Sequence, residues 1–420
     1  MSDDFEREER AFAEALRGAL EGEEFRPLDP RRLAAPAPGP RVGRPWLKGL
    51  AAAASVVLVV GAAGTVLPRM FSVSGSGSSR SGAAPAAGAS APGTAEDRGS
   101  AETSAASSKP SRWVATAAPP LSPRTQASVG WLEGRYYVVG GADCAAGVDC
   151  PSSSQLRSGA SYNPGIDAWI RIADAPVPLA GVTPVAVGEA LYYLTADGDF
   201  VSYRPAEDTW TTLPPGAAGG LLVGAQDRVI EVARVRTSAG TPLDRVFDPG
   251  TGTWTVLPAD PLPASDGRVA VVAGNRLVLS AQPASATDGA GAVAELDLDT
   301  LAWRTLSLRV SGRHLAAVGD TVVWPAPGSA TPVYAVSSEE FRRITPPKKG
   351  VDRGFDGIVA GGRVAVGLWL LDPASGQWTA LPSPGADLPR GATLGGGEQG
   401  ILLFGGSAAG SAAARFLPIG

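Results

Sequence analysis

From residue 111 to residue 420 the apolar positions fall in short runs bounded by Gly, Asp, Asn, Ser or Pro. Runs this short between turn residues predict strands rather than helices. One phrase returns six times: YNPGIDAW (162–169), YRPAEDTW (203–210), FDPGTGTW (247–254), LDLDTLAW (296–303), YAVSSEEF (334–341) and LDPASGQW (371–378). In each, an aromatic or aliphatic residue is followed seven positions later by Trp or Phe, with turn residues between them. Each phrase therefore reads as strand, turn, strand. Two further apolar runs precede it. They are Pro184–Val187 and Ala190–Thr195 in the second unit, Val269–Ala273 and Arg276–Leu279 in the fourth, and Ile358–Ala360 and Val364–Gly367 in the sixth. Each unit thus predicts four strands. The markers at 169, 210, 254, 303, 341 and 378 stand 37 to 49 residues apart, the length of a propeller blade.

Two units also carry a double glycine after an apolar strand, Tyr136-Tyr137-Val138-Val139-Gly140-Gly141 and Ile401-Leu402-Leu403-Phe404-Gly405-Gly406. With the aromatic–Asp-Pro–Trp phrase, this resembles the kelch family of β-propellers over about residues 111–420. The expectation is an all-β, seven-bladed kelch-like β-propeller. Six blades is the alternative, if the fifth unit, which lacks both Pro and Trp, collapses into its neighbours. The C-terminal Phe416-Leu417-Pro418 resembles the start of a phrase without its Trp strand, and an orphan Trp strand stands at Ser111–Thr116. Residues 111–117 are therefore expected to be the outer strand of the last blade, completing three strands from 390–418, because an unclosed array exposes edges. The tryptophans are expected to pack between adjacent blades.

Ahead of the repeats, residues 1–48 read as a leader. Residues 1–30 hold ten Asp or Glu against four Arg, and Phe5, Phe12, Leu16 and Leu20 give one apolar helical face. This face could dock a cytoplasmic protein partner, or simply belong to a solvated helix. Residues 31–48 are basic and Pro-rich. Gly49–Leu67 carries no charge over 19 residues, about 28 Å of helix at ~1.5 Å per residue, enough to cross a bilayer. A single transmembrane helix is expected over 49–68. Five basic residues precede it, so the positive-inside rule places the N-terminus in the cytoplasm and the propeller outside the cell membrane. Residues 69–110 read as a flexible linker: 32 of the 39 residues 72–110 are Ser, Gly, Ala, Pro or Thr.

Composition removes much chemistry. The chain of 420 residues carries a formal charge of -5, with no basic block in its repeat region, which argues against nucleic-acid binding. It has one histidine, His314, and two cysteines. These cannot build a zinc site of four cysteines, or of two cysteines and two histidines, and no G-x-S-x-G elbow accompanies His314. No cofactor and no metal is expected. Some secreted kelch-like proteins are copper radical oxidases, but that site needs two histidines. The phrase also resembles the Asp-box of sialidases, though only in its turn. Usage of Arg, Ala, Gly and Pro fits a high-GC bacterial genome. In an oxidising compartment, Cys144 and Cys150 of ADCAAGVDC predict a disulfide.

One pattern suggests a ligand. Arg124, Arg268, Arg313, Arg353 and Arg390 each stand 10 to 14 residues after a Trp or Phe marker, just before an expected inner strand. Five guanidinium groups meeting on one face would take an anion, with Asp266, Asp352 and Asp356 nearby to neutralise them. Equally, each could cap a blade turn. The missing catalytic sets favour a non-enzymatic, membrane-anchored binding module for a protein, glycan or anionic ligand, and a sensor role would suit it. The alternatives are an extracellular hydrolase or lyase acting on glycan or cell-wall polymer through carboxylates, and a structural accessory of a membrane complex.

Overall fold

The computed structural model describes residues 112–144, 150–235, 243–265, 267–282, 290–311, 314–326, 329–347, 357–383, 391–406 and 413–419. The chain divides into two units, Met1–Gly99 and Ser100–Gly420, and the described residues all belong to the second. They form seven four-stranded antiparallel sheets. Each sheet is one blade, counted from residue 128 as blades 1 to 7. Among the described residues the non-strand regular structure is a single 3-10 turn, Ser152–Ser154. The 49–68 segment lies outside the described residues; among those described, no helix is long and apolar enough to cross a membrane.

The innermost strands of blades 1 to 7 are Ser128–Leu132, Val185–Val187, Gly220–Ala225, Gly267–Ala273, Ala316–Val318, Val359–Ala360 and Thr393–Gly397. Each lies beside the next, and Thr393–Gly397 lies beside Ser128–Leu132. The protein is an all-β, seven-bladed propeller. The fifth unit keeps all four strands, with Phe341 where the others have Trp and a fully buried Trp324 in its core. In blade 7 the three strands from 393 to 418 are joined by Val114–Ala115, with Val114 opposite Phe416 and Ala115 opposite Arg415.

The seven-residue spacing of the phrase is a hairpin register. Tyr162 lies opposite Trp169, Tyr203 opposite Trp210 and Phe247 opposite Trp254. The ring centroids are 4.8, 4.9 and 5.1 Å apart, pairs worth about 1 kcal/mol each beyond simple burial. The turn is set by two positions. At the second, the side-chain oxygen of Asn163, Asp248, Asp297 or Asp372 accepts backbone N–H groups two or three residues on. This is an Asx turn. At the sixth, Asp167, Asp208, Gly252, Leu301, Glu339 and Gly376 all have left-handed backbones, with φ of 47, 50, 69, 54, 56 and 73°.

The half-buried phrase tryptophans of blades 1 to 4 also reach the preceding blade. The indole N–H of Trp210 donates to Ala173 O, that of Trp254 to Pro214 O, and that of Trp303 to Pro258 O. The acceptors lie one or two residues past the preceding outer strand. Trp169 makes the same link to the Thr116 hydroxyl, joining blade 1 to blade 7.

Candidate functional site

Antiparallel blades sort their connections. The tight hairpin turns emerge on one face. The longer loops, which follow the second and fourth strands, emerge on the other. Arg124 and Arg268 both belong to this long-loop face.

Arg124 sits between blades 7 and 1 and is buried. Its Nη1 donates to Gly140 O and Ser158 O, both at 2.9 Å, and its Nε to Ser122 O at 3.0 Å. Its Nη2 donates to the hydroxyls of Ser122 and Ser158. Burial, helped by repulsion from Arg171, pushes its pKa down to about 10, against the attraction of Asp143 and Asp174. The guanidinium ties off the end of the blade 1 sheet where the 140–158 loop departs.

Arg268 is also buried but meets carboxylates. Nη1 and Nη2 grip Asp244 as a fork at 3.0 and 2.7 Å, and Nη2 also reaches Asp260 at 2.8 Å. Ala233 O takes a further bond at 2.6 Å. A neighbouring pair, Arg245 and buried Glu231, meets at 2.7 Å, and Glu231 also accepts the Ala217 N–H. Asp244, Asp260 and Glu231 escaped the sequence reading. Their nearest sequence signal was an acid standing at the foot of a strand, as in Asp244-Arg245-Val246-Phe247.

Thus the two described arginines share the foot of an inner strand and turn their guanidinium Nη groups to the protein itself, while the buried Nε of Arg268 meets no partner among the described residues. Arg313, Arg353 and Arg390 lie outside the described residues, as do Asp266, Asp352 and Asp356. His314 is exposed. Cys144 and Cys150 form a disulfide within the loop that Arg124 anchors. No cluster of three or more metal-ligating side chains occurs among the described residues.

Fold and loops together define a seven-bladed β-propeller with one elaborated face. No family model matches the chain. Similar curated proteins include N-acetylneuraminate epimerase of Escherichia coli O1:K1 / APEC, 29% identical over 214 residues, which are 47% of this chain and 53% of that protein. N-acetylneuraminate epimerase 2 of Escherichia coli O6:H1 (strain CFT073) is 26% identical over 328 residues, 73% of this chain and 79% of that protein. This chain spans about half the length of the first of these. A solved structure described as "Structure of YjhT" has 16% sequence identity and a TM-score of 0.41, covering 72% of this chain and 96% of that one.

These likenesses correct the expectation of a non-enzymatic module, since the similar proteins are named as epimerases. The physical reason for the misreading is clear. Inverting a sugar centre can proceed by proton transfers alone. It needs neither a metal nor a nucleophile–histidine pair, so the scarcity of His and Cys did not weigh against it.

Proposed function

We propose that the propeller is an enzyme that epimerises a carboxylate-bearing sugar, N-acetylneuraminate or a close analogue, on its long-loop face. The observation that carries this reading is the likeness to N-acetylneuraminate epimerase 2 across 73% of the chain. Reversible epimerisation asks for one group that takes a proton, one that returns it, and an anchor for the substrate carboxylate. Arginine supplies such an anchor with its two parallel donors. Arg124 and Arg268 are committed to protein acceptors, so in this reading Arg313, Arg353 and Arg390 take the carboxylate. The test is the NMR rate of N-acetylneuraminate interconversion with the full-length protein. A rate above the spontaneous one, lost in Arg353→Ala and Arg390→Ala, supports the proposal; a rate equal to the spontaneous one ends it.

The same reading treats residues 111–420 as a kelch-type ring closed by the pairing of Val114–Ala115 with Ala414–Pro418, and residues 49–68 as a single membrane anchor that holds it outside the cytoplasm. The apolar, uncharged stretch Gly49–Leu67 supports the anchor. Protease added to intact spheroplasts should then digest the propeller and spare the leader.

A further inference from the structure

The crevice between blades 1 and 2 opens on the hairpin-turn face as a cleft of about 340 Å³. Tyr137, Ser161 and Ile170 lie in one row across blade 1, directly opposite one another on adjacent strands, and all three line the cleft. Tyr137 and Ser161 are only 3% and 5% exposed.

Blade 4 fills this place differently. The row equivalent to Tyr137, Ser161 and Ile170 is Val278, Glu295 and Arg304. There the Glu295 carboxylate takes two bonds from Arg304, at 3.1 and 2.7 Å, and one from the Tyr334 hydroxyl at 3.1 Å. Blade 1 has neither the carboxylate nor the guanidinium in this row.

A second substitution frees a cation at the same spot. Blade 4 pairs Arg276 with Asp297. The matching residues in blade 1 are Arg135 and Asn163. Asn163 spends its oxygen on the Gly165 N–H, and Arg135 has no ion-pair partner among the described residues. Arg135 lines the cleft close enough to the Tyr137 hydroxyl to act on it: burial raises the Tyr137 pKa, Arg135 opposes that rise, and Glu133 adds to it. The acids of the cleft are Glu133 at its rim and Asp208, which already accepts from the Tyr203 hydroxyl and the Ala173 N–H.

We propose that this cleft binds a sugar acid of monosaccharide size, whose carboxylate takes the place that Glu295 holds in blade 4. Arg135, Tyr137 and Ser161 donate to the carboxylate, and Glu133 accepts from a sugar hydroxyl. The site lies on the face opposite the long loops and does not depend on the turnover proposed there.

The experiment is calorimetric titration of the full-length protein with N-acetylneuraminate and with D-glucuronate, using D-glucose as the neutral counterpart of the latter. Saturable binding of at least one acid is expected, and none of glucose. Arg135→Gln should weaken it about tenfold or more, as loss of a charge-assisted bond does. All titrations use protein carrying Arg353→Ala and Arg390→Ala, which removes the carboxylate anchor of the proposed turnover; in that background Ser161→Glu with Ile170→Arg, which rebuilds the blade 4 pair, should abolish the binding. The inference is overturned if neither acid binds, if glucose binds as tightly as glucuronate, or if Arg135→Gln binds like its parent. Should the variant with Ser161→Glu and Ile170→Arg not fold, Arg135→Gln still decides.

Discussion

The indole N–H of Trp113 donates to Pro382 O at 2.9 Å, across 269 residues of chain. It is the same clasp that Trp210, Trp254 and Trp303 make on the blades before them. Trp113 thus does for blades 6 and 7 what a phrase tryptophan does elsewhere, although it comes from the opposite end of the repeat region. Trp113→Phe keeps the ring and loses this bond, and should cost about 1 kcal/mol. Trp113→Ala should cost about 2 kcal/mol or more, since the half-buried ring goes too. Urea denaturation of the full-length protein measures both; equal stabilities of wild type and Trp113→Ala would refute the clasp.

Removing the cation from a buried ion cluster should be far worse. Arg268→Met leaves Asp244 and Asp260 facing each other without their counter-ion. A loss of about 3–5 kcal/mol follows from stranding buried charge. Arg268→Lys should fall between, because an ammonium cannot span both carboxylates as a fork. Denaturant midpoints rank the three proteins, and a methionine variant within about 1 kcal/mol of wild type contradicts the cluster's role.

One substitution should stabilise. Leu301 is 41% exposed and holds a φ of 54°, at a turn position that Gly252 and Gly376 fill in blades 3 and 6. A side chain in this region costs about 1–2 kcal/mol, part of which glycine returns as unfolded-chain entropy. Leu301→Gly should therefore gain about 0.5–1 kcal/mol in thermal or chemical denaturation; a loss would show that Leu301 packs more than it strains.

All seven tyrosines have pKa values above the ordinary 10.0, chiefly through burial, with Tyr334 pushed up to about 12. The unfolded chain loses these phenolic protons before the folded one does. Stability is then independent of the phenols below about pH 10 and falls as the pH rises beyond it. A spectrophotometric titration should show phenolate forming at higher pH than in free tyrosine, with a steep rise that coincides with loss of the near-ultraviolet circular dichroism. Phenolate appearing in a protein that keeps its fold would count against this burial.

The Cys144–Cys150 disulfide closes a loop with a sequence separation of 6. A ring that short should contribute about 2 kcal/mol. Cys144→Ser with Cys150→Ser should lower the denaturation midpoint accordingly without dispersing the blades, as far-ultraviolet circular dichroism would report.

The repeat was legible because each blade solves one packing problem with one register. The run Val269–Ala273 is seen within Gly267–Ala273, and Ala190–Thr195 as Ala190–Leu194. Even the fifth unit keeps the hairpin, because Tyr334 and Phe341 stand opposite each other as Tyr203 and Trp210 do. The left-handed turn position was not legible: Asp, Gly, Leu and Glu all occupy it, so conformation repeats where residue type does not. The site was less legible still. Arginines at a common place in the repeat suggested a common ligand, but Arg124 turns to carbonyl oxygens and Arg268, elsewhere in the ring, to carboxylates. The blade 1–2 cleft leaves no sequence signal of its own. Its lining sets Ser161 and Ile170 where blade 4 has Glu295 and Arg304, a comparison that only the register makes possible.

The pairing of Val114 with Phe416 also sets an order of events during synthesis. Translation delivers Val114–Ala115 long before Ala414–Pro418 exists to receive it. Six blades can assemble on the growing chain as each hairpin emerges, but the seventh waits for both ends. A ribosome that stalls inside the last repeat would therefore release a product with its first strand stranded and two inner edges bare, a substrate for quality-control proteases rather than a slightly shortened protein.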